Sequence, residues 1–356
     1  MEGNKVMKIA TIICEFNPIH TGHKRLIDYA KTIADKVVCI MSGNFVQRGM
    51  PACADKYDRA RHAILCGADM VIELPTIYAT APATDFAYGG VKIASQIGAD
   101  YLVFGSECGN IQELQKIALL LDDEQINKAI ATNVAQGYSY PKAVSLAVNS
   151  PILQSPNNTL AIEYLRAIKT IGANITPITI KREDNYNGNG TQFASSSALR
   201  KDASLRDKFT YDFVLSDIND KVEQEFCNFV CHHLATLDAS NLVNIFGIGE
   251  GIENRIASCD KHLGYEIMME QIKTKRYTRA RLQRILLNCV LGITSDNIAE
   301  QKSKEIATKV LAIKASATTL LQRCNQIEED KFTKLADNLY LSFSGKKAPT
   351  KLQKVD

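Results

Sequence analysis

Between residues 8 and 105, short β-branched apolar runs alternate with segments of helical period. Residues 8–14, 36–41, 69–74 and 100–104 read as buried strands, the last two closed by Pro75 and Gly105. Residues 20–32, 55–66 and 83–97 read as helices. Parallel neighbours need crossover connections, so this alternation restricts the first part of the chain to an open parallel α/β sheet. Residues 109–170 read as helical, with breaks near Gly137 and at Ser155-Pro156, and residues 174–181 as a fifth strand. The Gly- and Asn-rich stretch 184–191 is a loop, and Ser195 to Ser197 a helix start. Beyond about residue 205 strand signals fade and helical pattern takes over. The expectation is therefore a sheet domain over 1–205, a mainly helical domain over 206–356, and a frayed tail after Phe343.

Composition narrows the class. The chain has 356 residues, 46% of them hydrophobic, enough for a sizeable core. No apolar run approaches the roughly 20 residues that span a bilayer, and the N-terminus lacks a signal-peptide apolar stretch, so a cytoplasmic protein is expected. Ten scattered cysteines without a CxxC pair read as reduced thiols. Cys227, Cys231, His232 and His233 lie close together, but their spacing matches no zinc site and they read as helix residues. Net charge is only +3, so basicity is local. Residues 271–295 hold Lys273, Lys275, Arg276, Arg279, Arg281 and Arg284, and no acid. Leu282, Ile285, Leu286 and Leu287 supply an apolar face there, which turns most of the cations outward, as an RNA backbone contact or a solvated face.

Chemistry concentrates after the first strand, in Cys14-Glu15-Phe16-Asn17-Pro18-Ile19-His20-Thr21-Gly22-His23. In open α/β sheets ligands bind beyond the carboxyl ends of the strands. A loop there that enters a helix offers free N–H groups and a favourable dipole to phosphate. Gly22 permits close approach. His20 and His23 are one helical turn apart and can donate to phosphoryl oxygens. A second cluster, Ala194-Ser195-Ser196-Ser197-Ala198-Leu199-Arg200, joins hydroxyls, helix-start amides and an arginine.

Phe16 to His23 resembles the (F/Y)-(D/N)-P-x-H-x-G-H element of adenylyl- and cytidylyltransferases, and Ala194 to Arg200 resembles their S-S-(T/S)-x-(I/L)-R element. Other strings narrow the resemblance: Met41 to Ala52, Val71 to Pro75, Phe104 to Glu107, Ser155 to Asn158, Glu250 to Arg255 and Lys275 to Thr278. Together they are similar to the bacterial tRNA(Met) cytidine acetate ligase family over nearly the whole chain. The resemblance implies a Rossmann-like nucleotidyltransferase domain. It implies that acetate attacks the α-phosphate of ATP, and that the acetyl group passes to the wobble cytidine of elongator tRNA(Met).

For the residues, it implies catalytic roles for His20 and His23. ATP would be bound from Ile13, Cys14, Glu15, Phe16, Asn17 and Pro18 through Gly22 to Leu26. Gly105, Asn157 or Asn158 and Arg182 would join them, with Ser196, Ser197 and Arg200 on the outer phosphates. Mg2+ would accompany ATP. Lys273, Lys275, Arg276, Arg279 and Arg281 are the expected tRNA contacts. One departure is visible: Tyr186 is followed by Asn187 and glycines where the family has a Tyr-His-like pair. Read from the residues alone, Lys56, Arg59 and Arg61 make a solvated charged helix start, and Glu73 and Glu107 are strand-end carboxylates able to position a metal or a ribose. An adenylyltransferase for a small phosphate ester, and a non-catalytic RNA-binding protein with a nucleotide site, stay open as alternatives.

Overall fold

The computed structural model describes residues 7–182, 194–345 and 352–356. The departure at Tyr186 lies outside them. Five strands follow the expected order: β1 (Ile9–Cys14), β2 (Lys36–Ser42), β3 (Met70–Leu74), β4 (Tyr101–Ser106) and β5 (Thr176–Lys181). They form the parallel run β5-β4-β1-β2-β3. β1 is buried along its whole length, as a strand covered on both faces must be. Helices α1 (Thr21–Ile33), α2 (Lys56–Leu65), α3 (Thr76–Ala79) and α4 (Ala83–Gln96) supply the early crossovers, and α5 (Ile111–Leu120), α6 (Glu124–Ala135), α7 (Tyr140–Val148) and α8 (Pro156–Ile171) fill the span to β5. Gly89 and Gly90 let α4 lie close to its neighbours. A Cβ at Gly90 would sit 2.5 Å from Ile13 Cδ1, and one at Gly89 2.5 Å from the Tyr78 ring.

The second half is mainly helical, yet it also returns to the sheet. Val310–Lys314 forms β6, antiparallel to β3, and Gln353–Val355 forms β7, parallel to β6. The sheet thus has seven strands. Neither of the last two was expected. The apolar run at 310–313 has no period that separates strand from helix, and residues 353–355 carry little apolar signal in what reads as a frayed tail. All ten cysteines are free. Cys227 and Cys231 are buried on the helix Val222–Ala235, as ordinary helix residues would be. Among the described residues no helix is long and apolar enough to cross a membrane.

The start of α2 departs from the solvated face expected of it. Lys56 and Arg59 are each 1% exposed. Lys56 Nζ lies 2.7 Å from Glu73 Oε1 and 3.5 Å from Glu329 Oε1, and also bonds Asp337. Lys309 closes the group, 2.5 Å from Glu329 and 3.6 Å from Glu73. These charges tie the end of β3 to the helix Lys331–Ser344 and to the approach to β6. Burial pushes the Glu73 carboxyl up to about 7 against the pull of Lys56.

Lys56→Met would leave three carboxylates sharing one lysine. Breaking a buried pair typically destabilises by about 3–5 kcal/mol. A carboxyl whose folded pKa lies above its unfolded one favours folding most at low pH, and that contribution fades as pH rises. The variant's deficit should therefore be largest near pH ~8 and shrink toward pH ~5.5. Urea unfolding at both pH values measures it, and equal deficits would contradict the assignment.

Candidate nucleotide site

The order β4-β1-β2 puts the reversal of the sheet between β1 and β4, where crossovers leave to opposite sides and open a crevice. The turn after β1 stands at its mouth. Phe16, 1% exposed, has φ +47°, a strained left-handed value for a side chain of this size. The Asn17–Pro18 peptide is cis. His20 caps α1: its Nδ1 accepts from Gly22 N at 3.1 Å. The His20 and His23 rings stack with centroids 3.8 Å apart, and the edge of Phe16 meets His23 at 5.0 Å. His20 is buried and His23 half-buried. Burial, then the positive fields of His20 and Arg182, hold His23 well below its usual pKa. It is therefore neutral at pH 7 and has an N–H to donate. His23 Nδ1 and Thr21 Oγ1 have no hydrogen-bond partner among the described residues.

Four side chains brace this turn by its carbonyls. Arg59 Nη1 donates to Glu15 O at 2.5 Å. Arg200 Nη1 donates to Asn17 O, Ser196 Oγ to Pro18 O at 3.1 Å, and Thr210 Oγ1 to Ile19 O at 2.7 Å. The side chains of the turn reach outward in the same way. Asn17 Oδ1 accepts from Cys53 N and Glu15 Oε1 from Gln47 N, both at 2.8 Å. Arg59 also donates to Ala54 O, Ser42 O and Gly43 O, which fastens the turn to the loop after β2. The helix Ser196–Lys201 opens on Ser195, whose Oγ accepts from Ala198 N at 3.2 Å. Arg200 Nη2 reaches Ser197 Oγ at 3.4 Å. The two sequence elements are therefore in direct contact.

Across the crevice, the backbone of Arg182 extends the β5 pairing, its N donating to Ser106 O at 2.9 Å. A Cβ at Gly105 would lie 3.2 Å from Arg182 Cγ, so glycine lets that arginine lie over the end of β4. Glu107, the strand-end carboxylate after β4, is engaged within the protein. Its carboxylate caps α8, accepting from Asn157 N, Asn157 Nδ2 and Asn158 N at 2.8–3.2 Å. Asn158 is 3% exposed and spends its amide on Cys108 N and Ile152 O. Asn157 is the half-buried member of the pair. Ile13 and Cys14 are buried at the end of β1, and Gly22 and Leu26 are half-buried on α1. Glu73, Glu329 and Asp337 are close enough to share a cation, but Lys56 and Lys309 already hold them.

The basic stretch lies on the helix Arg279–Leu291 and the turn before it. Free of acids in sequence, it meets them in space. Arg276 pairs with Glu250 at 2.9 Å, Arg279 with Glu266 at 2.6 Å and Lys273 with Glu270 at 3.5 Å. Arg281 stacks 4.0 Å over Tyr277. These exposed pairs are screened and weak, so phosphate can compete for the cations. Arg284 is different: burial, then Arg281, pushes it down to about 10. Gly49, at φ +74°, packs its backbone on the same helix, where a Cβ would be 2.7 Å from Arg284 N.

Sequence reasoning missed the bracing by Arg59 and Thr210. A signal for Arg59 was present. Lys56 and Arg59 share a helical stripe with Ala60 and Ala63, two small residues that mark the buried face.

The chain matches the HIGH Nucleotidyl Transferase family over residues 7–344. It is 38% identical to the tRNA(Met) cytidine acetate ligase of Acetivibrio thermocellus, over 82% of this chain and 79% of that protein. It is 33% identical to the enzyme of the same name from Staphylococcus carnosus, over 91% of this chain and 87% of that one. Thermotoga maritima TmcAL bound with alpha-thio ATP shares the fold at TM-score 0.85 and 24% identity, covering 98% of this chain and all of that one. The apo form superposes at TM-score 0.82 and 25% identity, over 94% of this chain and 92% of that one. With the paired histidines on a braced turn at the sheet's reversal, these likenesses show that the chain belongs to the tRNA(Met) cytidine acetate ligase family of HIGH nucleotidyltransferases.

Proposed function

We propose that this chain uses ATP to activate acetate and acetylates the wobble cytidine of elongator tRNA(Met). The observation that carries the reading is the stacked, braced His20–His23 pair at the start of α1, facing Arg182 across the β1/β4 crevice. An acetate oxygen attacks the α-phosphorus of ATP, the bond to the β-phosphate oxygen breaks, and pyrophosphate leaves. The cytidine exocyclic amine then attacks the acetyl carbon, AMP departs, and the amine gives up a proton. Neutral His23 donates its N–H to the α-phosphoryl oxygen as charge develops. His20, fixed by Gly22 N, holds the His23 ring in place.

Arg182 and Asn157 reach the nucleotide, and Gly105 lets it approach. The Ser197 hydroxyl, the other Arg200 N–H groups and the Ser196 backbone N–H are donors beyond those that brace the turn, and these meet the outer phosphates. The donors around the turn are nitrogens and hydroxyls, which suit phosphate, so Mg2+ arrives with ATP rather than in a cage of carboxylates. The division into a nucleotide-binding part, 1–205, and a tRNA-gripping part, 206–356, goes with this reading, as does a cytoplasmic location. Pyrophosphate exchange with and without acetate tests it. Exchange that needs acetate supports the ligase; exchange that needs a phosphate ester instead would favour a metabolic adenylyltransferase, and no exchange a non-catalytic binder.

His23→Ala should lower exchange turnover by roughly two to three orders of magnitude, the scale for one preorganised transition-state donor, with ATP affinity changed far less. Turnover within a few-fold of wild type would remove His23 from the chemistry. Arg200→Ala should weaken ATP more than AMP by calorimetry, whereas equal losses would leave Arg200 only its bonds to Asn17 and Ser197. Replacing Lys275, Arg276 and Arg279 together with alanine should weaken tRNA binding and flatten its dependence on salt, because fewer counterions are released. An unchanged slope would return these residues to a solvated face. Lost exchange in the same variant would show that this helix supports the nucleotide site.

A further inference from the structure

The turn between α6 and α7 presents two tyrosines to solvent. Tyr138 is 43% exposed and Tyr140 56%. Neither hydroxyl has a hydrogen-bond partner among the described residues, and neither ring packs on another aromatic there. The turn is held by Gly137 at φ +94°, a backbone value that favours glycine.

A cation rests against it. A Cβ at Gly137 would lie 3.7 Å from Arg276 Nε and 3.8 Å from its Nη2, so the Arg276 guanidinium rests against the turn. Its other partner is the exposed Glu250. Lys142, two residues after Tyr140 on α7, is exposed as well. Arg166 and Glu163 of α8 lie near the Tyr140 hydroxyl. This turn, from the first half of the chain, therefore meets the basic segment of the second half at Arg276.

We propose that Tyr138 and Tyr140, with Arg276 against their turn, form a stacking platform for unpaired bases of an RNA loop. The proposal rests on the tRNA reading above. Cations alone would hold phosphate and could not distinguish a loop from a stem. Bases in a helix are stacked on one another, so an exposed aromatic face selects nucleotides that are not. Every base offers a π-face, and an adjacent guanidinium adds cation–π attraction and a phosphate contact.

The test uses the full chain, the double variants Tyr138→Ala/Tyr140→Ala and Tyr138→Phe/Tyr140→Phe, and an elongator tRNA(Met) transcript titrated across a salt series. Thermal melting and sedimentation accompany each variant. Alanine at both positions should weaken binding about five- to 150-fold for each base that loses its stacking partner. The salt slope should not change, because no phosphate-neutralising charge is removed. Phenylalanine at both positions should bind like wild type.

Three results would overturn the platform: alanine variants that bind like wild type, a flattened slope showing that the turn only positions Arg276, or altered sedimentation showing that the rings join two copies of the chain. If the wild-type chain acetylates tRNA while the alanine variant binds it normally, this inference fails and the proposed function stands. A wild-type chain that neither binds nor acetylates tRNA sinks both.

Discussion

Arg59 is a buried cation whose hydrogen bonds among the described residues all go to backbone carbonyls, at Glu15, Ser42, Gly43 and Ala54. Buried charges usually sit beside an opposite charge. This one is satisfied by dipoles instead, and those dipoles belong to three different stretches of chain. Hydrogen bonds to a charged donor are worth about 1.5–3 kcal/mol each, and losing the donor leaves buried acceptors unmet. Arg200, Ser196 and Thr210 complete the support from the other side. With its carbonyls engaged on the protein side, the strained turn at Phe16 is over-determined. A phosphate site needs that rigidity: donors already in place do not have to reorganise when charge develops.

The same logic extends outward. The loop after β2 is held on one side by Arg59 and on another by the helix Lys331–Ser344, where Tyr340 donates to Ala52 O at 3.0 Å and Asp337 accepts from Asn44. It also rests on the helix Arg279–Leu291 through Gly49. The histidine turn therefore stands one loop away from the basic helix, and a disturbance at either has a packed route to the other.

Legibility followed locality. β1 to β5 and the helices α1, α2 and α4 were readable to within a residue or two, because apolar runs, Pro75 and Gly105 are local signals, whereas the single turn α3 was not expected. The histidine turn was readable because its spacing and its place after a strand are local as well. β6 and β7 were not, since what makes them strands is the open edge of β3, far away in sequence. The same reason hid Lys56 and Arg59: charged residues at a helix start look solvated until carbonyls and carboxylates from other segments arrive. The basic stretch erred in the opposite sense, as its acids at 250, 266 and 270 lie beyond its own window. Asn158 and Glu107 looked like ligand groups; in the fold Glu107 caps α8, and the Asn158 amide bonds Cys108 N and Ile152 O.

The antiparallel seat of β6 has a consequence for the birth of the chain. β3 ends at Leu74, and the strand that covers its outer edge begins only at Val310. Until that strand leaves the ribosome, the growing sheet carries a bare row of backbone donors and acceptors, the kind of edge that recruits foreign strands. Lys56 and Glu73 are both made early, but the acids and the lysine that complete their cluster come from 309, 329 and 337. The nascent protein thus passes most of its synthesis with one flank unfinished, a window in which a chaperone or rapid elongation protects it best.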